Sequence, residues 1–161
     1  MRKLVIGTVG GALLAVVALT GARADEEKVP LDKLPKAVTD AVKAKFEGAE
    51  LVSASKEKEG GKELYEVAIK HKGHKIDVTL TAEGKVTSVE KQIEAKDFPK
   101  AVSEALDKKY PKATVKKAEE VTENDKVAYE ALIVTADNKT IEVVLDPSGK
   151  IVKEEPKEKK K

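Results

Sequence analysis

The 161-residue chain contains no cysteine and no tryptophan, one methionine at its start, and two arginines, Arg2 and Arg23, both among its first 24 residues. Without cysteine there are no disulfides and no thiolate metal ligands, so the core has to hold by packing alone. Without arginine beyond residue 24 there is no bidentate clamp for phosphate or carboxylate, and lysine serves only as a point charge. Aromatics are scarce, two phenylalanines and three tyrosines, which leaves little for the anchors that dominate protein interfaces. No G-x-S-x-G pattern places a serine nucleophile, and no serine has a histidine set beside it by motif.

The N-terminus has the makings of a signal peptide over residues 1–24. Arg2 and Lys3 give a positive start, Leu4 to Leu19 an apolar run, and Ala22-Arg23-Ala24 a small-x-small cleavage site before Asp25. The run is short for a membrane span of about 20 residues and holds three glycines, which argues against the alternative of a retained anchor. Removing Arg2, Lys3 and Arg23 turns 31 basic against 29 acidic residues into 28 against 29, a net charge of −1. With both signs interleaved, no electrostatic footprint for nucleic acid remains. A periplasmic or secreted monomer is expected, with no membrane association after cleavage.

What the chain does have is a duplication. Leu34-Pro35-Lys36-Ala37-Val38 returns 64 residues later as Phe98-Pro99-Lys100-Ala101-Val102, and Tyr65-Glu66 as Tyr129-Glu130. After one inserted residue the offset becomes 65, and Ile76, Val78, Leu80, Gly84 and Lys85 match Ile141, Val143, Leu145, Gly149 and Lys150. Two modules follow, residues 25–95 and 96–152, with residues 153–161 expected as a disordered charged tail.

Each module opens with helical spacing: Leu31, Leu34, Val38, Val42 and Phe46 in the first, Phe98, Val102, Leu106 and Tyr110 in the second. Pro35 and Pro99 suit a first turn, Asp97 is placed to cap the second helix, and Gly48 and Pro111 to end the two. Period-two alternation then places Tyr65, Val67, Ile69 and Ile76, Val78, Leu80 on one face, with Tyr129, Ala131, Ile133 and Ile141, Val143, Leu145 as their counterparts. The opposite face is expected in water. Glu59-Gly60-Gly61-Lys62 and Glu123-Asn124-Asp125-Lys126 suit hairpins, and Asp146-Pro147-Ser148-Gly149 a turn. Val86, Val89 and Ile93 break strict alternation and suggest a bulge. The fold expected is α+β, a tandem repeat of a helix packed on a four-stranded antiparallel sheet, the two modules docked as one body by a short linker.

These residues carry a likeness. With Leu34-Pro35, Tyr65-Glu66-Val67 and Gly84-Lys85 in one copy, and Phe98-Pro99, Tyr110-Pro111-Lys112-Ala113 and Leu145-Asp146-Pro147-Ser148-Gly149-Lys150 in the other, the chain resembles the PepSY-like, beta-lactamase-inhibitor-like family. The resemblance implies an exported, non-catalytic binding or inhibitory module. The lack of cysteines and of spare aromatics speaks against inhibition of a beta-lactamase.

Three chemistries remain. His71 and His74 flank Gly73, where a hairpin brings them together as metal ligands with Asp77 as a third, although flanking lysines repel a cation. Glu57, Glu59, Glu119, Glu120 and Glu123 sit among lysines as on a solvated face, and no pair stands out for acid–base work. Glu66, Lys70, Asp77, Thr79, Glu130 and Glu142 form a polar sheet face suited to a protein partner such as an envelope protein or a secreted protease. The expectation is a non-enzymatic binding or regulatory protein without a cofactor. A metal sensor built on His71 and His74, or a protease inhibitor, is the alternative.

Overall fold

The computed structural model describes residues 27–59 and 61–157. The expected signal peptide, its expected cleavage site and the last four residues of the chain lie outside that range.

Two helices, α1 (Lys36–Lys45) and α2 (Lys100–Lys109), begin directly after Pro35 and Pro99. Proline suits that place because its missing N–H would have no partner in the first turn. Each helix buries a two-residue stripe, Val38 and Val42 or Val102 and Leu106, flanked by buried Leu34 or Phe98. Leu31 departs from the expected stripe: it sits in a preceding 3-10 turn and is 38% exposed. Asp97 likewise does not cap α2. Its carboxylate accepts the Glu94 N–H at 3.3 Å and closes the second 3-10 turn, Ala95–Asp97.

The strands are β1 (Glu27–Lys28), β2 (Glu50–Glu59), β3 (Lys62–His71), β4 (His74–Thr81), β5 (Val86–Ile93), β6 (Thr114–Glu123), β7 (Lys126–Val134), β8 (Thr140–Leu145) and β9 (Ile151–Lys157). They form one sheet in sequence order, every neighbour antiparallel. The α+β class is as expected, but the two four-stranded layers are not separate: β5 pairs with β6 from Ser88↔Glu123 to Ile93↔Ala118 and fuses them. Residues 153–157, expected in a disordered tail, instead make up most of β9, where Lys153 to Lys157 pair with Thr140 to Val144. Their Lys–Glu–Pro composition hides a strand that satisfies the outer edge of β8.

The duplication reaches the hydrogen-bond register. Tyr65 faces Leu80 as Tyr129 faces Leu145, and Asp77 faces Glu90 as Glu142 faces Glu155. The irregularity at Leu51/Ser53 recurs at Val115/Lys117, and the expected bulge against β5, at Thr79/Leu80, recurs at Val144/Leu145. In the β6–β7 hairpin Asn124 and Asp125 both take positive φ, 49° and 62°, the pattern that matches strand twist. One apolar core lies under each helix: α1 covers Val67, Ile69, Val78 and Leu80, and α2 covers Ala131, Ile133, Val143 and Leu145. The turns after β4 and β8 close against the helices. A Cβ on Gly84 would stand 2.4 Å from the Ala37 carbonyl oxygen, and one on Gly149 would stand 2.2 Å from that of Ala101.

Candidate functional site

Both described helices lie on one side of the sheet, so alternation sends every second strand residue to a face that neither of them covers. Glu66, Lys70, Asp77, Thr79, Glu130 and Glu142 all fall on that face. The expectation that it meets water is wrong for half of them. Thr79, Glu130 and Glu142 are buried at 3%, 7% and 3% exposure, Glu66 and Asp77 are half-buried, and Lys70 is exposed. The face is concave: a groove of about 510 Å³ crosses it from β2 to β6, lined among others by Val52, Ala68, Lys70, Asp77, Lys117 and Glu119. Side chains packed side by side on such a face cover one another, which strand alternation alone does not reveal.

Carboxylates crowd this face of the sheet. Glu119, expected from sequence on a solvated face, is 3% exposed and pairs with Lys117 at 2.7 Å. Glu57, expected there too, is also buried. Glu119 lies opposite Glu130 across β6 and β7. Glu142 is reached by Lys157 at 3.3 Å, which also holds Glu155 at 2.9 Å. Burial pushes the Glu130 carboxyl up to about 8, helped by the charges of Glu142, Glu119 and Glu90 and by a hydrogen bond with Glu142. Two carboxyl groups in hydrogen-bond contact need a proton between them. Burial also raises Glu90 to about 7, with Glu119, Glu66 and Asp77 adding to it and Lys117 opposing. For Lys117 burial works against the ammonium, but the Glu119 bond and the charges of Glu119, Glu130 and Glu90 outweigh it, and its pKa is raised.

Glu90, Glu119 and Lys117 are the residues of this face that sequence reasoning missed. The signal was within reach: Glu90 follows Asp77 across β4 and β5 in the same way that Glu155 follows Glu142 across β8 and β9.

His71 and His74 do face each other across the β3–β4 hairpin, but on the helix side and engaged elsewhere. His71 Nε2 lies 3.2 Å from the Glu47 carbonyl oxygen, with its ring edge-on to Phe46 at 5.6 Å, and His74 Nδ1 lies 3.3 Å from the Gln92 carbonyl oxygen. Among the described residues no group of three His, Asp or Glu side chains is placed to hold a metal ion. The aromatics are taken up at the two cores: Phe46 and Tyr65 pack against one, and Tyr110 and Tyr129 against the other, where Phe98 is buried. Phe98 and Tyr129 meet edge-on at 6.0 Å. No helix among the described residues is long and apolar enough to cross a membrane.

Comparison with known proteins agrees with this architecture. The family described as "Putative beta-lactamase-inhibitor-like, PepSY-like" matches residues 22–88 and 65–153. A protein of Bacteroides eggerthii, described as a "putative" periplasmic protein, has a similar structure at a TM-score of 0.66, with 13% identity over 76% of this chain and 88% of that one. A BLIP-like protein of Bacteroides fragilis superimposes at 0.61, with 17% identity over 74% of this chain and 84% of that one. At these identities the likeness is one of fold. No curated protein matches the sequence.

Proposed function

Since the chain belongs to the PepSY-like, beta-lactamase-inhibitor-like family, we propose that it is an exported, non-enzymatic binding or regulatory protein whose working surface is the grooved face of its sheet, opposite α1 and α2. The observation that carries this reading is the groove across β2 to β6. No described helix packs on this face, and its groove sets the carboxylates of Asp77 and Glu119 among Lys117 and the exposed Lys70, Lys75 and Lys116. Such a mixed polar surface suits a protein partner recognised by charge pattern and shape, where complementarity sets specificity and association rate. The leader segment and the fold shared with the Bacteroides eggerthii protein support a periplasmic setting.

The test is affinity capture from envelope extract with three baits: the leaderless chain, a groove-rim variant (Lys70→Glu with Lys75→Glu) and a helix-side variant (Lys43→Glu with Lys108→Glu). A partner lost with the rim variant and kept with the helix-side variant supports the reading. Capture that is indifferent to the rim, or lost only with the helix-side change, overturns it.

A further inference from the structure

Four lysines converge on the groove from the two halves of the chain, Lys70 and Lys75 from β3 and β4, Lys116 and Lys117 from β6. The fold itself does not call for them. At the offsets that align the modules they stand where the other copy has Val134, Thr140, Val52 and Ser53. The register agrees, with Lys70↔Lys75 matching Val134↔Thr140 and Lys117↔Leu132 matching Ser53↔Ala68. Their placement also carries a cost, because Lys70 and Lys75 are directly opposite each other, and like charges in that position destabilise a ladder. Lys117 is tied to Glu119 at 2.7 Å. No described carboxylate, not even Glu50 across β2 from Lys70, forms a salt bridge with Lys70, Lys75 or Lys116. A second hollow of about 530 Å³ continues from the groove, sharing Val52 and Ala68 with it and passing Val29, Pro30 and Leu31, with Glu66 as the carboxylate in its lining. Val52 is 47% exposed and Leu31 38%, so this end offers apolar surface where the other offers positive charge.

On the reading that the grooved face is the working surface, we propose that the segment it receives from a protein partner is an acidic peptide with an apolar residue beside its carboxylates: the carboxylates lie among Lys70, Lys75 and Lys116, and the apolar side chain rests against Val52 and Leu31. Bound carboxylates turn the repulsion between Lys70 and Lys75 into two attractions, so the partner supplies the charge that the ladder lacks. A basic segment adds to that repulsion. An uncharged one takes water from the lysines and gives them no counter-charge in return.

Selection of a displayed library of random heptapeptides on the leaderless chain tests this. The peptides expected to be enriched combine Asp or Glu with Leu, Ile, Val or Phe. In fluorescence polarisation their dissociation constants should rise about tenfold or more with Lys70→Glu plus Lys75→Glu and with Lys116→Glu, severalfold with Val52→Asp, and steadily with added salt. Lys43→Glu with Lys108→Glu, on the helix side, should leave them unchanged. Circular dichroism reports whether each variant is folded, and Lys70→Gln with Lys75→Gln carries the test if charge reversal disturbs the sheet. Enriched peptides that are basic or uncharged, and that the rim variants no longer bind, overturn the acidic occupant and leave the grooved face as the working surface. Enriched peptides indifferent to the rim variants, or no enrichment at all, also overturn the proposal, and capture from envelope extract then decides the broader reading independently.

Discussion

Glu130 makes the concave face sensitive to pH. In the unfolded chain Glu130 titrates near the ordinary value of 4.5, and in the fold near 8. Below 4.5 both states hold the proton and the contribution is fully present. Between 4.5 and 8 the fold keeps a proton that the unfolded chain has released, so stability falls as pH rises through that window and levels off above it. Glu90, raised to about 7, adds to the lower part of the same slope. Among the groups that face these two, Glu66, Asp77 and Glu119 raise Glu90 and Glu142, Glu119 and Glu90 raise Glu130, while Lys117 opposes the rise of Glu90. Since a tenfold change in proton affinity is worth roughly 1.4 kcal/mol, the loss between pH 5 and pH 9 should be a few kcal/mol in urea unfolding. Glu130→Gln, which imitates the protonated group, should flatten the upper part of the slope and be the more stable protein at pH 9. An unaltered chain with level stability over this range would show that the pair does not share a proton. The glycines give a second comparison at this scale. Gly73, Gly84 and Gly149 share φ values of 82° to 83°, but only the last two press on a helix carbonyl. Gly73→Ala should therefore cost about 1 kcal/mol for its backbone conformation, and Gly84→Ala and Gly149→Ala clearly more, because backbone has to move as well. Equal thermal shifts at the three positions would assign the whole cost to φ.

At the scale of elements, what could be read from the sequence was whatever depends on near neighbours. Val38 and Val42 one turn apart, Tyr65 alternating with Glu66, and Asn124-Asp125 between two strands each carry their own local reason to be helix, strand or hairpin. The β5–β6 seam has no such signal: the helix α2 intervenes, and nothing in Ser88 to Ile93 names Ala118 to Glu123 as its partner. Alternation likewise assigns Glu130 to the face opposite α1 and α2 but says nothing of how deeply that face is hollowed, so a buried carboxyl looks solvated from sequence. The end of the chain failed for a compositional reason, since Lys153 to Lys157 look like a solvated run until β8 is seen to need an outer neighbour. β9 also ties down α2, where the Glu154 carboxylate accepts from the Tyr110 hydroxyl and from Lys109. Ending the chain at Val152 should accordingly cost about 2 kcal/mol or more in chemical denaturation, whereas a disordered tail would be removed with no change.

The molecule as a whole is two modules sharing one ladder. A unit of about 60 residues buries only roughly 60% of its surface and is marginal alone, and each half here has its own helix and its own core. Coupling between them rests on the β5–β6 seam, whose six cross-strand pairs would all be lost if either half unfolded by itself. A half that opened alone would also expose the β5 or β6 edge of the other, a strand rim with unmet backbone groups. The two halves should therefore unfold together. Leu80 and Leu145 occupy matched positions, each fully buried under its own helix, and truncation of either to alanine should remove about 2 to 5 kcal/mol. Calorimetry of Leu80→Ala and of Leu145→Ala should then show one transition in each case, moved down by a similar amount, with the calorimetric and van't Hoff enthalpies equal. Two transitions, one following each substitution, would mean that the seam joins the modules in space without joining them in energy.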